Sequence, residues 1–197
     1  MHDSPLVTVI CSCYNHQQFV CESIQSVLNQ SYKNIQIIVI DDKSSDNSVA
    51  IIEQFIINKP EILFIKNNTN LGLTRSVTNS LKFVKGDYFI DLAADDILLP
   101  NCIATQINTF QKSSFNKLAM VYGNAELILE SGEHSSYYFE VTDSLKTKKQ
   151  IPSGDIYINI IDMNTTICSV SAMYNKFIFD DVYIGNLVVD NVAPILV

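Results

Sequence analysis

Basic residues are scarce in this chain: 13 lysines and arginines stand against 21 acids, a formal charge of −8. Nucleic-acid binding needs a basic face, so nucleic acid is excluded as the main partner. An anionic ligand would need a local device instead, either backbone N–H groups or a bridging cation. The five cysteines, Cys11, Cys13, Cys21, Cys102 and Cys168, contain no CxxC pair and are odd in number, so neither a zinc site nor a disulfide framework is signalled. A reducing compartment fits best. His2, His16 and His134 are too scattered for a triad or a metal cluster. The first strand-to-helix turn, "CSCYNHQQF", lacks GxGxxG, and no GK[ST] loop is present, which argues against dinucleotide and P-loop enzymes. The N-terminus "MHDSPLVTVI" lacks a basic stretch followed by a long apolar one, and no run approaches a membrane span. The chain reads as cytoplasmic, with peripheral attachment at the inner face of the membrane left open.

What remains is a core-forming sequence. With 197 residues, 47% hydrophobic and 17% charged, the chain can bury a full core as one domain. "LVTVICSCY" (6–14) reads as a buried strand, and Phe19, Ile24, Val27 and Leu28 then recur at helical spacing up to Gln30. "IQIIVI" (35–40) is a second strand. Ser45 or Asp46 is placed to cap a helix whose inner face carries Val49, Ile52, Phe55 and Ile56. "EILFI" (61–65) is a third strand. Leu73, Val77, Leu81 and Val84 mark a helix that Gly86 could end, "DYFIDL" a fourth strand, and Pro100 the first turn of a helix carrying Ile103, Ile107 and Phe110. Beyond residue 113, "LAMVYGNAELILE" suggests two short strands, Ser131-Gly132 a turn, and "TTICSVSAMY" (165–174) another strand. The polar, basic stretch "TDSLKTKKQIPSGD" reads as a surface loop or a lid.

Strands alternating with helices in this way imply βαβ crossovers and an α/β fold with a mainly parallel sheet covered on both faces. Ligands of such sheets bind beyond the carboxyl ends of the strands. Here those ends carry Ser12 with Tyr14 and Asn15, then Asp41 with Asp42, then Asp95 with Asp96. Three polar clusters therefore converge on one edge. Adjacent carboxylates repel each other, and a metal ion is the simplest partner that would relieve the repulsion at Asp95-Asp96.

Taken together, "VTVICSCYNHQQFVCESIQSVLNQSYKNIQIIVIDDKSSDNS", "NNTNLGLTRSV", "GDYFIDLAADD" and "YGN" resemble the family 2 glycosyltransferases of the GT-A fold, over about Pro5 to Asn124. The tail "SVSAMYNKFIFDDVYIGNLVVDN" resembles the family's acceptor-side segment, in which a short strand and loop lead to a Glu-Asp pair that begins a helix. The resemblance implies a catalytic domain over 1–197, with a nucleotide-sugar-binding half at 1–112 and an acceptor-side half at 113–197. It also implies truncation at the C-terminus, because "VAPILV" stops where the family usually continues.

Residue by residue, the resemblance lays Ser12, Tyr14 and Asn15 against the nucleotide. An aromatic face suits a base, and hydroxyl and amide groups suit a ribose. Asp41 resembles the acceptor for a nucleobase N–H, Asp42 its neighbour near the ribose or metal, and Arg75 a group near the diphosphate. Asp95 and Asp96 resemble the DxD-type site: Asp96 is the main ligand of Mn²⁺ or Mg²⁺, and Asp95 contacts the sugar or supports the site. Ala93 departs from the pattern, since that position is often Asp. Asp91, within the strand, reads as structural.

An inverting transfer needs one base to take the proton of the acceptor hydroxyl. Asp190 stands where the family's base stands, although Val189 replaces the usual preceding Glu; Asp180 and Asp181 compete for the role. The expectation is a metal-dependent, inverting, hexosyltransferase-like enzyme. It would move a sugar from a nucleotide donor, a UDP-sugar by the Asp41 match, to a hydroxyl of a glycan or lipid-linked acceptor in bacterial surface polysaccharide synthesis. A non-catalytic nucleotide-sugar-binding module, an inactive fragment and a nucleotidyltransferase are the alternatives. Donor sugar, linkage and oligomeric state are not legible.

Overall fold

The computed structural model describes residues 4–114, 118–149 and 167–185. In chain order the strands are β1 (Val7–Cys13), β2 (Ile35–Asp41), β3 (Leu63–Lys66), β4 (Tyr88–Ala93), β5 (Met120–Val121), β6 (Glu126–Ile128), β7 (His134–Tyr137) and β8 (Met173–Asn175). The helices are α1 (Val20–Leu28), α2 (Ser48–Ile56), α3 (Leu73–Ser80), α4 (Cys102–Lys112) and α5 (Lys176–Gly185). Two compact units contain them: one comprises residues up to 121 together with those from 173, the other residues 122–172.

The first unit is built on a six-stranded sheet in the order β3-β2-β1-β4-β8-β5. β1, β2, β3 and β4 are parallel, β8 runs antiparallel to β4, and β5 runs antiparallel to β8. The chain is thus α/β with a mostly parallel sheet, as its alternating pattern implies. Every residue of β1 is buried, which explains why "VTVICSC" is almost continuously apolar: a central strand has no solvent face. Side chains alternate across the sheet. Val7, Val9, Cys11 and Cys13 join Ile24 and Val27 of α1, Ile52 of α2, and Ile103 and Ile107 of α4 in one core. Each such aliphatic side chain contributes about 1.5–3 kcal/mol by leaving water. On the opposite face α3 lies against β1 and β2, while Phe89 stacks on Tyr174 at 5.1 Å and meets Phe179 of α5 edge-on at 5.0 Å.

Register brings the strand ends level. Ser12 lies opposite both Ile40 and Ala93, and Cys13 opposite Asp41. At the other end of the sheet Gly86 serves a close approach: a Cβ there would sit 2.6 Å from the Tyr88 carbonyl oxygen and 2.7 Å from the Thr8 nitrogen. Gly86 therefore opens β4 rather than ending α3, which stops at Ser80 and passes into a 3₁₀ turn over Leu81–Phe83. The cap of α2 also falls later than expected, at Asn47, although the Asp46 carboxylate does accept the Ser48 N–H at 2.9 Å.

In the second unit β6 and β7 form an antiparallel hairpin whose turn places Gly132 at φ +83°, a conformation that suits glycine. Of the lid-or-loop stretch, residues up to 149 form a turn closed by a Val141–Thr147 bridge. The strand expected over 165–174 divides into a 3₁₀ turn, Ser169–Ser171, in this unit and β8 in the other. "KFIFDDVYIG" is the helix α5, where the sequence reading had placed a loop. No helix among the described residues is long and apolar enough to cross a membrane.

Candidate active site

The loops after β1, β2 and β3, with the end of β4, surround a cavity of about 350 Å³ at the carboxyl end of the sheet. Its lining includes Ser12, Ile40 and Ala93 from the strand ends, Tyr14 and His16 from the β1–α1 loop, and Gly72, Leu73 and Ser76 around the start of α3. Tyr14 is 45% exposed, so its ring face is available to a ligand.

The β1–α1 and β2–α2 loops are laced together. Asn15, at φ +59°, accepts the Ser45 N–H on its Oδ1 at 2.8 Å and donates its own N–H to Ser44 Oγ at 2.9 Å. Asp41 is buried and does not line the cavity; its carboxylate accepts both the N–H and the hydroxyl of Ser44. Asp42 lines the cavity, yet its oxygens are committed inward to Leu71 N–H (2.9 Å), Gly72 N–H (2.8 Å), Asn67 Nδ2 (2.8 Å) and Ser76 Oγ (2.7 Å). Burial raises the Asp42 carboxyl, and these hydrogen bonds outweigh it, so the group lies below the ordinary carboxylate value. Asp42 is thus the post on which the wall around Gly72 and Leu73 is hung. Arg75 points to solvent from α3 and is not among the residues lining the cavity.

The acid pair follows β4. Asp95 is exposed and Asp96 partly buried, with the Asp96 N–H donating to the Ala93 carbonyl at 3.0 Å. Burial and the charge of Asp95 push the Asp96 carboxyl up to about 6, with His16 opposing them. The His16 Nδ1 lies 3.7 Å from Asp95 Oδ2 and links the pair to the cavity wall. His16 is the cavity residue that the sequence reading set aside; its signal was its place in the polar turn after the first strand. Asp91, read as structural, accepts a hydrogen bond from Ser12 Oγ at 3.0 Å.

The donor set fits a hard divalent cation in chemistry: adjacent carboxylate oxygens whose mutual repulsion is answered only by His16 among the described residues. Those residues hold no group of three or more His, Cys, Asp or Glu side chains gathered as metal ligands. Remaining positions would fall to ligand and water oxygens. Of the candidate bases, Asp180 pairs with Lys176 on α5, and Asp190 lies outside the described residues.

The profile of glycosyl transferase family 2 matches residues 8–182. The chain belongs to that family. Membership of that family favours sugar transfer over the nucleotidyl-transfer alternative. It is 32% identical over 177 residues to an uncharacterized glycosyltransferase of Haemophilus influenzae, covering 89% of this chain and 50% of that protein. With an uncharacterized glycosyltransferase of Rickettsia typhi the identity is 33% over 179 residues, covering 90% and 54%. The chain therefore spans about half the length of these relatives. Among solved structures, Staphylococcus aureus TarS in complex with UDP-GlcNAc superposes with a TM-score of 0.59 at 17% identity, over 91% of this chain and 48% of that one. A mannosyltransferase of Pyrobaculum calidifontis in complex with GDP-Man and Mn²⁺ gives 0.54 at 17% identity, over 61% and 36%. These likenesses establish the GT-A fold.

Proposed function

We propose that this family 2 chain binds a UDP-sugar at the cavity between Tyr14, Ser12 and Leu73 and transfers the sugar, with inversion, to a hydroxyl of a glycan or lipid-linked acceptor. Surface polysaccharide synthesis is the process this activity suits, at the cytoplasmic face of the membrane. The observation that carries the reading is the convergence of the cavity and the Asp95-Asp96 pair at the carboxyl ends of β1, β2 and β4. The complexes of TarS with UDP-GlcNAc and of the mannosyltransferase with GDP-Man and Mn²⁺ support a nucleotide-sugar ligand and a divalent cation.

In this scheme Tyr14 offers its ring to the base and Ser12 its hydroxyl to the sugar part of the nucleotide. Asp41 acts through the Ser44–Ser45 loop that it holds and Asp42 through the Gly72 wall, while Arg75, exposed on α3 outside the cavity lining, meets the diphosphate only by swinging its long side chain inward. Asp96, with Asp95 beside it, would hold Mn²⁺ or Mg²⁺, which supplies charge neutralisation for a departing diphosphate. Asp190 takes the proton of the acceptor hydroxyl as its oxygen bonds to the anomeric carbon, and the bond from that carbon to the diphosphate oxygen breaks to release the nucleotide.

A thermal-shift series with UDP-, GDP- and ADP-sugars, with and without Mn²⁺, tests the donor reading. UDP-sugars should raise Tm most, the rise should need Mn²⁺, and Asp41→Ala should erase the preference. Equal shifts with all three nucleotides would sink the assignment of a uridine donor.

A further inference from the structure

Asp91 lies two residues before Ala93 in β4, on the same face of the strand. Ser12, which donates to Asp91 Oδ1 at 3.0 Å, and Ala93 both line the cavity, so this carboxylate sits directly beneath the cavity floor. One strand over, Tyr174 of β8 pairs with Phe89, which shares a sheet face with Asp91. Tyr174 is 5% exposed, and its hydroxyl is buried with no hydrogen-bond partner among the described residues. Burial and the nearby charge of Asp91 both push the Tyr174 phenol up. Among the described residues no lysine, arginine or histidine forms an ion pair with Asp91.

A carboxylate in such a place is costly. Burial pushes the Asp91 carboxyl up to about 6 against the Ser12 hydrogen bond, and Asp96 adds repulsion. A β-branched aliphatic residue would suit a central strand better. An acid that weakens the fold without a counter-charge acts through its field on what lies nearby, and the Asp96 N–H is bonded at 3.0 Å to the carbonyl of Ala93, the next residue after Asp91 on the same strand face, which keeps the acid pair near this charge. The Ser12 hydrogen bond fixes that charge under the cavity.

We propose that Asp91 is a positioning residue of the cation site: held by Ser12 beneath the cavity floor, it strengthens cation binding at the Asp95-Asp96 pair without touching the ion. The inference rests on the cation reading given above. Moving the carboxylate along the same strand face to position 93 brings it into the cavity lining and should preserve the effect.

The experiment titrates Mn²⁺ alone into the unaltered chain, Asp91→Asn, Asp91→Asn/Ala93→Asp and Asp96→Ala, following the ion by its EPR signal, with metal-free melts at pH 7.5 alongside. Asp91→Asn keeps the size of the side chain and an acceptor for Ser12. It should bind Mn²⁺ about tenfold more weakly, as removal of one nearby charge implies, yet melt at a higher temperature. The double variant should recover most of the affinity. Unchanged affinity in Asp91→Asn overturns the inference alone, and so does a lowered melting temperature, which marks a structural role. Failure of the unaltered chain to bind Mn²⁺ overturns the cation reading and the inference together.

Discussion

The side-chain amide of Gln30 donates to the Leu99 carbonyl at 2.8 Å, binding the end of α1 to the segment that follows the acid pair. Gln30 also accepts the Ile103 N–H at 3.1 Å and is fully buried. Ser26 Oγ accepts the Leu98 N–H at 3.1 Å, and Ser23 Oγ donates to the Ala93 carbonyl at 3.3 Å. Two polar side chains on the buried face of α1, with Gln30 just past its end, thereby hold both flanks of Asp95-Asp96.

Gln30→Ala should accordingly cost about 3 kcal/mol, since it strands buried backbone groups without partners. Urea unfolding should show the lowered midpoint, and Mn²⁺ affinity of the still-folded fraction should fall with it. A stable variant with unchanged metal affinity would show that the segment positions itself.

Asp42 predicts an acid-sensitive wall. Its folded value lies below the ordinary 3.8, so its contribution is present above that pH and is lost as pH falls through the folded value; Asp46, lowered by its bonds to Ser48 and Gln17, adds in the same direction. Asp42→Asn should lower stability near neutrality and flatten the loss below pH 4. It should also weaken nucleotide binding, because Gly72 and Leu73 lose their support. Urea midpoints measured across pH 2.5–7 decide this, and parallel curves for both proteins would refute it.

Asp96 and Asp190 should separate binding from chemistry. Asp96→Ala should abolish Mn²⁺-dependent nucleotide binding and transfer together. Asp190→Asn should leave nucleotide affinity intact while turnover falls roughly 10²-fold or more, the usual scale for losing a general base. Normal turnover by Asp190→Asn would move the base elsewhere, with Asp180 and Asp181 the next carboxylates to replace.

Gly86→Ala should destabilise by about 1–3 kcal/mol, because the added methyl meets the backbone of Leu6, Thr8 and Tyr88 rather than yielding side chains. The drop in Tm should come with unchanged Mn²⁺ affinity in the folded protein, since Gly86 lies at the opposite end of β4 from the acid pair.

The sheet was legible because β1, β2 and β4 are mostly buried and so read as apolar runs with few polar interruptions. Its carboxyl edge, and with it the neighbourhood of the site, followed from the βαβ order. The division of labour between Asp41 and Asp42 was not legible. Two adjacent acids look alike in sequence, and only the folded loop shows that one holds Ser44 and the other Leu71 and Gly72. Ser23, Ser26 and Gln30 escaped notice for a related reason: a search for helical faces counts apolar positions, whereas these polar ones share the buried face at spacings of three and four. α5 was missed because the resemblance placed a loop over "KFIFDDVYIG", and its aromatic and β-branched residues gave no strong helical signal to set against it.

Gly72 and Leu73 stand at the cavity with open space around the glycine and Leu73 59% exposed, while Asp42, with Asn70 beside it, fixes where the glycine stands. The placement of this wall and its outline therefore belong to different residues. Exchanging Leu73 for a larger or smaller side chain reshapes the space offered to a donor without disturbing the carboxylate behind it. Under the donor reading proposed above, relatives that differ at this one exposed position would differ in the sugar they accept, with the stability of the domain left out of the exchange.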